Sequence, residues 1–311
     1  MGDAQFSGTF VSAPAPVNSG LGPIFNNVGC ASCHIGDGRG KVPRAGETSV
    51  LMLFRISVAG QGMHGEPNPV PGFGDQLQNR SNIGVQKEAD VLISYDDQTF
   101  YFDDGETYNL RFPTYTISGA YTTIPSDVML SARVAAPVYG LGLLEAVSDA
   151  AILSRVDEND ADGDGISGRA NYVWDFVNNT TVLGRFGWKA QTASIRQQAA
   201  DAFAGDIGIS TPEMPKHWGD FTPAQKDCLA MPNGVQERLG TAEAPPPVMD
   251  LVTFYSQNLA VPARRDIGKP DVLAGKKQFY EMGCIACHTP KFVTMRGTPD
   301  KAQAFQLIWP Y

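Results

Sequence analysis

The chain has 311 residues, of which 42% are hydrophobic. This content excludes a disordered protein and allows either one large domain or two smaller ones with hydrophobic cores. The formal net charge is −9, and the charged residues are scattered, which argues against nucleic-acid binding. No run approaches the roughly 18 uncharged apolar residues of a membrane-spanning helix. The 33 glycines and 22 prolines show no period and predict many turns and long ordered loops.

The first ten residues, MGDAQFSGTF, lack the basic and apolar regions of a signal peptide. Two interpretations follow: a cytoplasmic protein, or an exported protein whose signal sequence has been removed. The cysteines further along the chain decide between them.

The segment NVGCASCHIGDGRG places Cys30 and Cys33 three positions apart, with His34 directly behind them. The residues before it, GLGPIFNNVG, predict a short helix that leads into this first CxxCH motif. The spacing is typical of c-type haem attachment, in which two thiols bond to one haem and the histidine binds its iron. A structural zinc site and a redox dithiol are the alternatives.

The next elements alternate between loop, strand and helix. Residues 35–90 are rich in glycine, proline, asparagine and glutamine and predict an ordered loop. Residues 91–125 are rich in aromatic and β-branched residues and predict a β-hairpin that turns at Asp104 and Gly105. Residues 127–155 show apolar side chains at helical spacing: Leu141, Leu143, Leu144, Val147 and Ile152.

An acidic segment, DADGDGISGRAN, follows the predicted helix. Asp160, Asp162 and Asp164 alternate along it, and the carbonyl oxygen of Ile166 could join them around a hard cation. The segment departs from an EF-hand loop because Asn171 stands where that loop has a bidentate glutamate. The sequence therefore predicts a calcium site, with a solvated acidic turn as the alternative.

The C-terminal part repeats the layout of a helix followed by a CxxCH motif. Residues 190–206 predict a polar helix, and three consecutive prolines at 245–247 interrupt the chain. The segment VMDLVTFYSQNLAVPARR then predicts a helix that ends before Pro262. In DVLAGKKQFYEMGCIACH a further helix leads into the second CxxCH motif.

The second motif consists of Cys284, Cys287 and His288. A zinc site would usually gather its ligands in one place, and a dithiol would not need a histidine after both cysteine pairs. Two covalently bound c-type haems are therefore predicted, with His34 and His288 as iron ligands. Because such haems are attached outside the cytoplasm, we expect a periplasmic protein whose signal sequence has been removed.

A haem that reacts with peroxide needs a neighbouring group that moves a proton between the two peroxide oxygens. Glu145 lies in the otherwise apolar segment GLGLLEAV, where burial would raise the pKa of its carboxyl group. The alternative is a glutamate at the exposed end of that helix. Glu88 is the next candidate for the same role.

Four further residues have a possible functional role beside an ordinary structural one. His64 and Met129 are candidate distal ligands of the first haem, although a surface histidine and a core methionine are the simpler interpretations. Trp188 is a candidate aromatic bridge between the haems, with core packing as the alternative. Cys228 is expected to be a buried free thiol rather than a catalytic one.

Several segments together, in chain order, resemble the bacterial di-haem oxidoreductase family: CASCHIGDGRG, FGDQLQNR, YGLGLLEAV, DADGDGISGRAN, GRFGWKA and GCIACHTPKF. These proteins are also called thiol oxidoreductases. They are related to the di-haem cytochrome c peroxidases and to the di-haem enzyme that matures methylamine dehydrogenase. The resemblance covers nearly the whole chain. It implies two cytochrome-c-like domains, with one haem reacting with peroxide and the other relaying electrons.

The resemblance also supports His34 and His288 as proximal ligands and, more loosely, the proton-transfer role of Glu145. The family usually continues past IWPY with a segment that offers a distal methionine to the second haem, whereas this chain stops at Tyr311. Met295 is only seven positions beyond His288 and is not expected to replace it. Phe221 stands where the family often has a cysteine shortly before Cys228, so no disulfide is expected there.

The sequence therefore predicts a mainly α fold with two cytochrome-c-like haem domains, long loops and a small β insertion in the first domain. The domains are residues 1–180 and 181–311, the second being shorter than in the family. The favoured function is a periplasmic oxidoreductase of peroxidase type that uses hydrogen peroxide and a periplasmic electron donor or partner protein. The alternatives are a non-catalytic electron carrier and an enzyme that oxidises side chains of a partner protein.

Overall fold

A computed structural model describes residues 1–48, 51–216 and 220–310 of the chain. Tyr311, where the family pattern was expected to continue, lies outside these ranges. The α-helices are Gly2–Phe6, Cys30–Cys33, Leu141–Glu145, Asp149–Leu153, Ile195–Ala202, Lys226–Leu229, Pro246–Asn258 and Pro270–Glu281. The strands are Ile24–Phe25, Met52–Gln61, Pro67–Asn68, Gln76–Leu77, Arg80–Ser81, Asp90–Tyr101, Thr107–Ser118, Met129–Val134, Tyr172–Asp175, Thr180–Leu183, Phe292–Val293 and Leu307–Ile308.

The prediction of a mainly α, cytochrome-c-like fold is wrong. Helices and strands each make up 23% of the structure, and the strands form several small sheets. The largest error lies in residues 35–90 and 127–155, which were expected to be loop and helix. They contain Met52–Gln61 and Met129–Val134, two strands that pair with each other in antiparallel register.

The strand Met52–Gln61 is the centre of a four-stranded sheet, and its sequence shows why it is a strand. Met52, Phe54 and Ile56 are buried, whereas the residues between them are only half-buried. This alternation with period two is typical of a strand with one face against a core. The same core includes Phe73 and Leu77, both almost fully buried.

The long hairpin is present where the sequence predicts a β insertion. Asp90–Tyr101 pairs with Thr107–Ser118 along its whole length, and Gly105 in the turn has a φ of +89°. Such a left-handed conformation is accessible to glycine at little cost, which explains the Asp-Gly turn signal.

The chain forms two compact units that interleave along the sequence. Met1–Pro137 and Arg196–Val252 form the N-terminal unit, and Val138–Ile195 and Thr253–Tyr311 form the C-terminal unit. Each unit contains one CxxCH motif. The predicted domains 1–180 and 181–311 also separate the two motifs, but they do not place residues 196–252 with the N-terminal part. Within the described ranges, no helix is both long and apolar enough to cross a bilayer.

Candidate functional site

The first CxxCH motif is one turn of helix, Cys30–Cys33, that ends at His34. The backbone amide of His34 donates a hydrogen bond to the carbonyl oxygen of Cys30, at 2.9 Å. Gly29 begins the turn in close contact with the N-terminal segment, since a Cβ atom there would lie 2.3 Å from the carbonyl oxygen of Gly8. The turn is therefore held in place by the backbone on its N-terminal side.

The imidazole of His34 is oriented by the chain. Its Nδ1 atom lies 2.7 Å from the carbonyl oxygen of Ala136. Because a carbonyl can only accept, Nδ1 carries the proton and Nε2 keeps its lone pair. Burial also lowers the pKa of His34, which favours the neutral ring. A neutral histidine held by a hydrogen bond to its other nitrogen is the usual form of an iron ligand.

The two thiols of this motif are not activated as a redox pair. Burial raises the pKa of Cys30 to about 12 and that of Cys33 to about 11. A reactive dithiol would show the opposite shift, because its nucleophile must be a thiolate near neutral pH. With the oriented His34, these residues fit a c-type haem better than a thioredoxin-like site.

Asp206 supports the loop that leads into the first motif, mainly through its backbone carbonyl oxygen. The carbonyl oxygen of Asp206 accepts hydrogen bonds from the backbone amides of Asn26 and Asn27, and its carboxylate accepts one from Gln76 at 2.7 Å. The side chain of Asn27 in turn donates to the sulfur of Cys33 at 3.3 Å. Burial raises the pKa of Asp206. Sequence reasoning missed this residue because its partners lie far away along the chain.

The second CxxCH motif has a similar local design. The helix Pro270–Glu281 ends before Gly283, whose φ of +74° turns the chain into a short 3-10 helix at Cys284–Ala286. The amide of His288 donates to the carbonyl oxygen of Cys284 at 2.9 Å, as in the first motif. The ring of Phe279 lies 5.8 Å from that of His288. Both motifs therefore place two thiols and a following histidine on one turn.

Glu145 is the last residue of the short helix Leu141–Glu145 and is half-buried in the C-terminal unit. Its Oε1 accepts a hydrogen bond from the amide of Ile195 at 2.9 Å, and its Oε2 accepts one from Gln257 at 2.6 Å. The segment GRFGWKA contributes Arg185, whose guanidinium donates to the carbonyl oxygen of Val147 at 2.7 Å. Hydrogen bonds from two separate segments thus hold the carboxylate of this half-buried residue.

Glu88, the other glutamate candidate, is fully buried in the N-terminal unit. Its Oε2 accepts from the amide of Gln78 at 2.7 Å and its Oε1 from the side chain of Gln225 at 2.9 Å. Burial raises the pKa of Glu88 to about 8, against the two hydrogen bonds, which lower it. Glu88 is therefore enclosed by protein, which suits a structural carboxyl group better than a group that meets a substrate.

The other candidate ligands lie in different surroundings. His64 is exposed in a turn, where its amide donates to Glu66 at 2.8 Å. Met129 is opposite Ser57 in the strand pair. Met129 is 49% exposed, so it is not a core methionine, and the distal-ligand roles of His64 and Met129 stay predictions.

Two further sequence candidates differ in their exposure. Trp188 is half-exposed, so it is not a core residue, and its role as a bridge between haems stays a prediction. Cys228 is buried, as expected, and packs with Ile24 and Phe221. Burial raises the pKa of Cys228 to about 11, which disfavours a reactive thiolate.

The acidic loop gathers carboxylates, but not the set that the sequence suggests. One oxygen each from Asp157, Asp160 and Asp162 lie within 4.8 Å of one another. Asp164 instead accepts a hydrogen bond from the amide of Ile166 at 2.8 Å. Asp157 was missed because the spacing pattern was read from Asp160 onwards. The calcium-binding role predicted for Asp160, Asp162, Asp164 and the carbonyl oxygen of Ile166 stays a prediction.

A charged cavity of about 250 Å³ in the N-terminal unit was also missed. Its walls include Asp75, Asp201 and Asp220, together with Arg55 and Lys216. Burial is the main cause that raises the pKa of Asp201 and of Asp220, each to about 6. No local motif marks this cluster, because its members come from separate segments.

Comparison with known families decides what kind of protein this is. The family model described as "di-haem oxidoreductase, putative peroxidase" matches residues 1–311. The chain belongs to the di-haem oxidoreductase family. The resemblance inferred from the motifs is thereby confirmed, and with it an oxidoreductase with haem cofactors. No curated protein and no solved structure matches this di-haem oxidoreductase chain.

Proposed function

We propose that this di-haem oxidoreductase is a periplasmic peroxidase with two covalently attached c-type haems. One haem site would serve the reaction with hydrogen peroxide, and the other would serve electron relay from a periplasmic donor. The observation that carries the proposal concerns the binding of haem iron by His34: its Nδ1 atom forms a hydrogen bond with the carbonyl oxygen of Ala136. It leaves Nε2 free to bind iron, directly after a pair of cysteines with the spacing of c-type haem attachment.

Different residues of the chain would bind the haems and transfer the proton. Cys30 and Cys33 hold one haem and His34 binds its iron, while the second motif does the same for the other haem. A bound haem would supply the iron for cleavage of the O–O bond of peroxide. Glu145 accepts a proton from one peroxide oxygen and returns it to the other. Two electrons from the donor and two protons then complete the conversion of one peroxide to two waters.

The spin states of the two irons test this function. A peroxidase needs an iron with an open or weakly occupied sixth position, so electron paramagnetic resonance of the ferric protein should show a high-spin component. A low-spin signal from both haems, with no binding of cyanide or azide, would contradict the peroxidase proposal and favour an electron carrier.

We also propose that the loop of Asp157, Asp160 and Asp162 binds calcium. Carboxylate oxygens are the ligands that calcium prefers, and three of them already lie close together in this loop. The backbone conformation supports the arrangement, because Asp160 has a φ of +52° and its carboxylate accepts a hydrogen bond from the amide of Gly165 at 3.1 Å.

A further inference from the structure

The outer half of the long hairpin has two chemically different faces. Directly opposed residues of an antiparallel pair point to the same face of the sheet. The register places three pairs on one face: Phe100 and Tyr108, Gln98 and Leu110, and Asp96 and Phe112. Apolar side chains therefore dominate this face.

We call Phe100, Phe102, Tyr108, Leu110 and Phe112 the aromatic strip. The ring of Tyr108 lies 5.6 Å from that of Phe100 and 4.6 Å from that of Phe102, and Phe100 lies 6.2 Å from Phe112. Although these rings contact one another, Phe102, Tyr108, Leu110 and Phe112 remain between 37% and 54% exposed. Contiguous exposed apolar side chains of this kind mark interaction sites in soluble proteins.

Apart from the exposed Tyr101, the opposite face of the same segment is polar and internally paired. Arg111 donates to Asp97 at 2.9 Å, and the hydroxyl group of Thr99 donates to Asn109 at 2.8 Å. The hairpin is thus amphipathic in its outer half, with its apolar face exposed.

The base of the hairpin fixes which face points outward. Val91 and Ile93 lie on the same face as the polar pairs and are 2% and 1% exposed, within the core of the N-terminal unit. A shift of one residue would exchange the two faces and expose both side chains. The exposure of the aromatic strip is therefore built into the register.

The charge of the hairpin narrows the choice of partner. Between residues 90 and 118 it carries six acidic side chains and one basic side chain, Arg111. The acidic residues are Asp90, Asp96, Asp97, Asp103, Asp104 and Glu106. A second copy of the chain would bring two acidic hairpins together, and an anionic membrane would repel them.

We propose that the aromatic strip docks a basic protein whose apolar contact patch is ringed by lysine or arginine side chains. The strip provides the desolvated centre of such an interface. Asp96 and the acidic residues of the turn, Asp103, Asp104 and Glu106, provide a charged rim. The rim steers a basic partner and raises its association rate, whereas the strip determines how long the complex lasts. This docking function is separate from the peroxide chemistry proposed above.

Calorimetric titration of the haem-loaded protein with mitochondrial cytochrome c, a basic protein with an apolar patch ringed by lysines, tests the proposal. We expect saturable binding that weakens as the ionic strength rises from about 10 mM to about 150 mM. Replacing Leu110→Ser and Phe112→Ser together should weaken binding by about tenfold or more. The paired control, Thr99→Ser with Asn109→Ser on the polar face, should bind as the wild type does.

The same cytochrome with its lysines acetylated keeps the apolar patch but loses the charge, and it should bind much more weakly. The proposal is overturned if the wild type shows no saturable binding, or if the strip and control variants bind equally well. It is also overturned if the strip substitutions instead abolish self-association of the protein or its binding to phosphatidylglycerol vesicles. Those results would assign the strip to a second copy or to a membrane.

Discussion

The carboxyl group of Glu88 couples folding to pH. Its pKa of about 8 in the folded protein lies above the ordinary value of 4.5, because burial disfavours the charged form. The folded state therefore keeps a proton that the unfolded chain releases. The contribution of Glu88 to the free energy of unfolding is fully present below pH 4.5 and is lost as the pH rises through about 8.

Replacing Glu88→Gln should remove this dependence. Glutamine cannot accept from both Gln78 and Gln225, so at about pH 5 the variant should be less stable by about 1–3 kcal/mol. At about pH 8.5 the wild type also pays for an ionised buried carboxylate, and the difference should shrink. Urea unfolding at the two pH values measures both effects.

The exposed Glu237 provides the matched control, since Glu237→Gln should leave the unfolding curve unchanged at both pH values. If Glu88→Gln lowers stability equally at acid and alkaline pH, Glu88 does not titrate in this range and its predicted linkage to folding is wrong.

Glu145 is expected to transfer the proton during the reaction with peroxide. Glu145→Gln keeps the size of the side chain and removes the base, so the reaction of the ferric protein with peroxide should slow by about 10²–10⁴. Stopped-flow absorbance follows this rate, while the resting spectra of both haems should be unchanged.

Glu88→Gln is the comparison for that experiment, because Glu88 is enclosed and should leave the peroxide rate near that of the wild type. A wild-type rate in Glu145→Gln together with a slow Glu88→Gln would move the role to Glu88. If neither substitution slows the reaction, the result favours the alternative function, a non-catalytic electron carrier.

Calcium should raise the thermal stability of the acidic loop. An ion held only by the folded loop stabilises it, so a chelator should lower the melting temperature of the wild type. Asp162→Ala should lower it in the presence of calcium and make the protein nearly insensitive to the chelator. Glu158, an exposed neighbour outside the carboxylate cluster, is the control: Glu158→Ala should keep the response. A chelator effect of equal size in all three proteins would contradict a calcium site.

Elements with local signals were predictable, and elements fixed by distant partners were not. The hairpin has its own turn, and the helix Pro270–Glu281 has its own periodicity and a proline in its first turn. The strand Met129–Val134 pairs with Met52–Gln61, more than 70 positions earlier in the chain. Its apolar residues sit beside a genuine helical pattern, so the helix prediction was extended across it.

The candidate sites also separate into features with a local sequence signal and features that depend on distant residues. The spacing of cysteine and histidine in both CxxCH motifs could be recognised because the motif spans only five positions of the sequence. The hydrogen bond from His34 to Ala136 was not, since it joins residues about a hundred positions apart. Asp206 and the charged cavity could not be predicted for the same reason. Their raised pKa values depend on burial among residues from distant segments, which no local sequence pattern shows.

The whole chain consists of two compact units with the same type of motif. Each unit contains a CxxCH turn in which the histidine amide is bonded to the carbonyl oxygen of the first cysteine. The units themselves differ, because the N-terminal one adds a sheet, the long hairpin and residues 196–252. This interleaved arrangement depends on long-range packing, which explains why two consecutive domains were the natural expectation from the sequence.

Intact-mass spectrometry of protein matured in a periplasm can show whether each CxxCH motif holds one covalent haem. The wild type should carry two added haems. Replacing Cys30→Ala with Cys33→Ala, or Cys284→Ala with Cys287→Ala, should leave one, whereas Cys228→Ala should keep both. A wild-type mass equal to that of the bare polypeptide, or loss of a haem in Cys228→Ala, would contradict covalent haem attachment at the two CxxCH motifs.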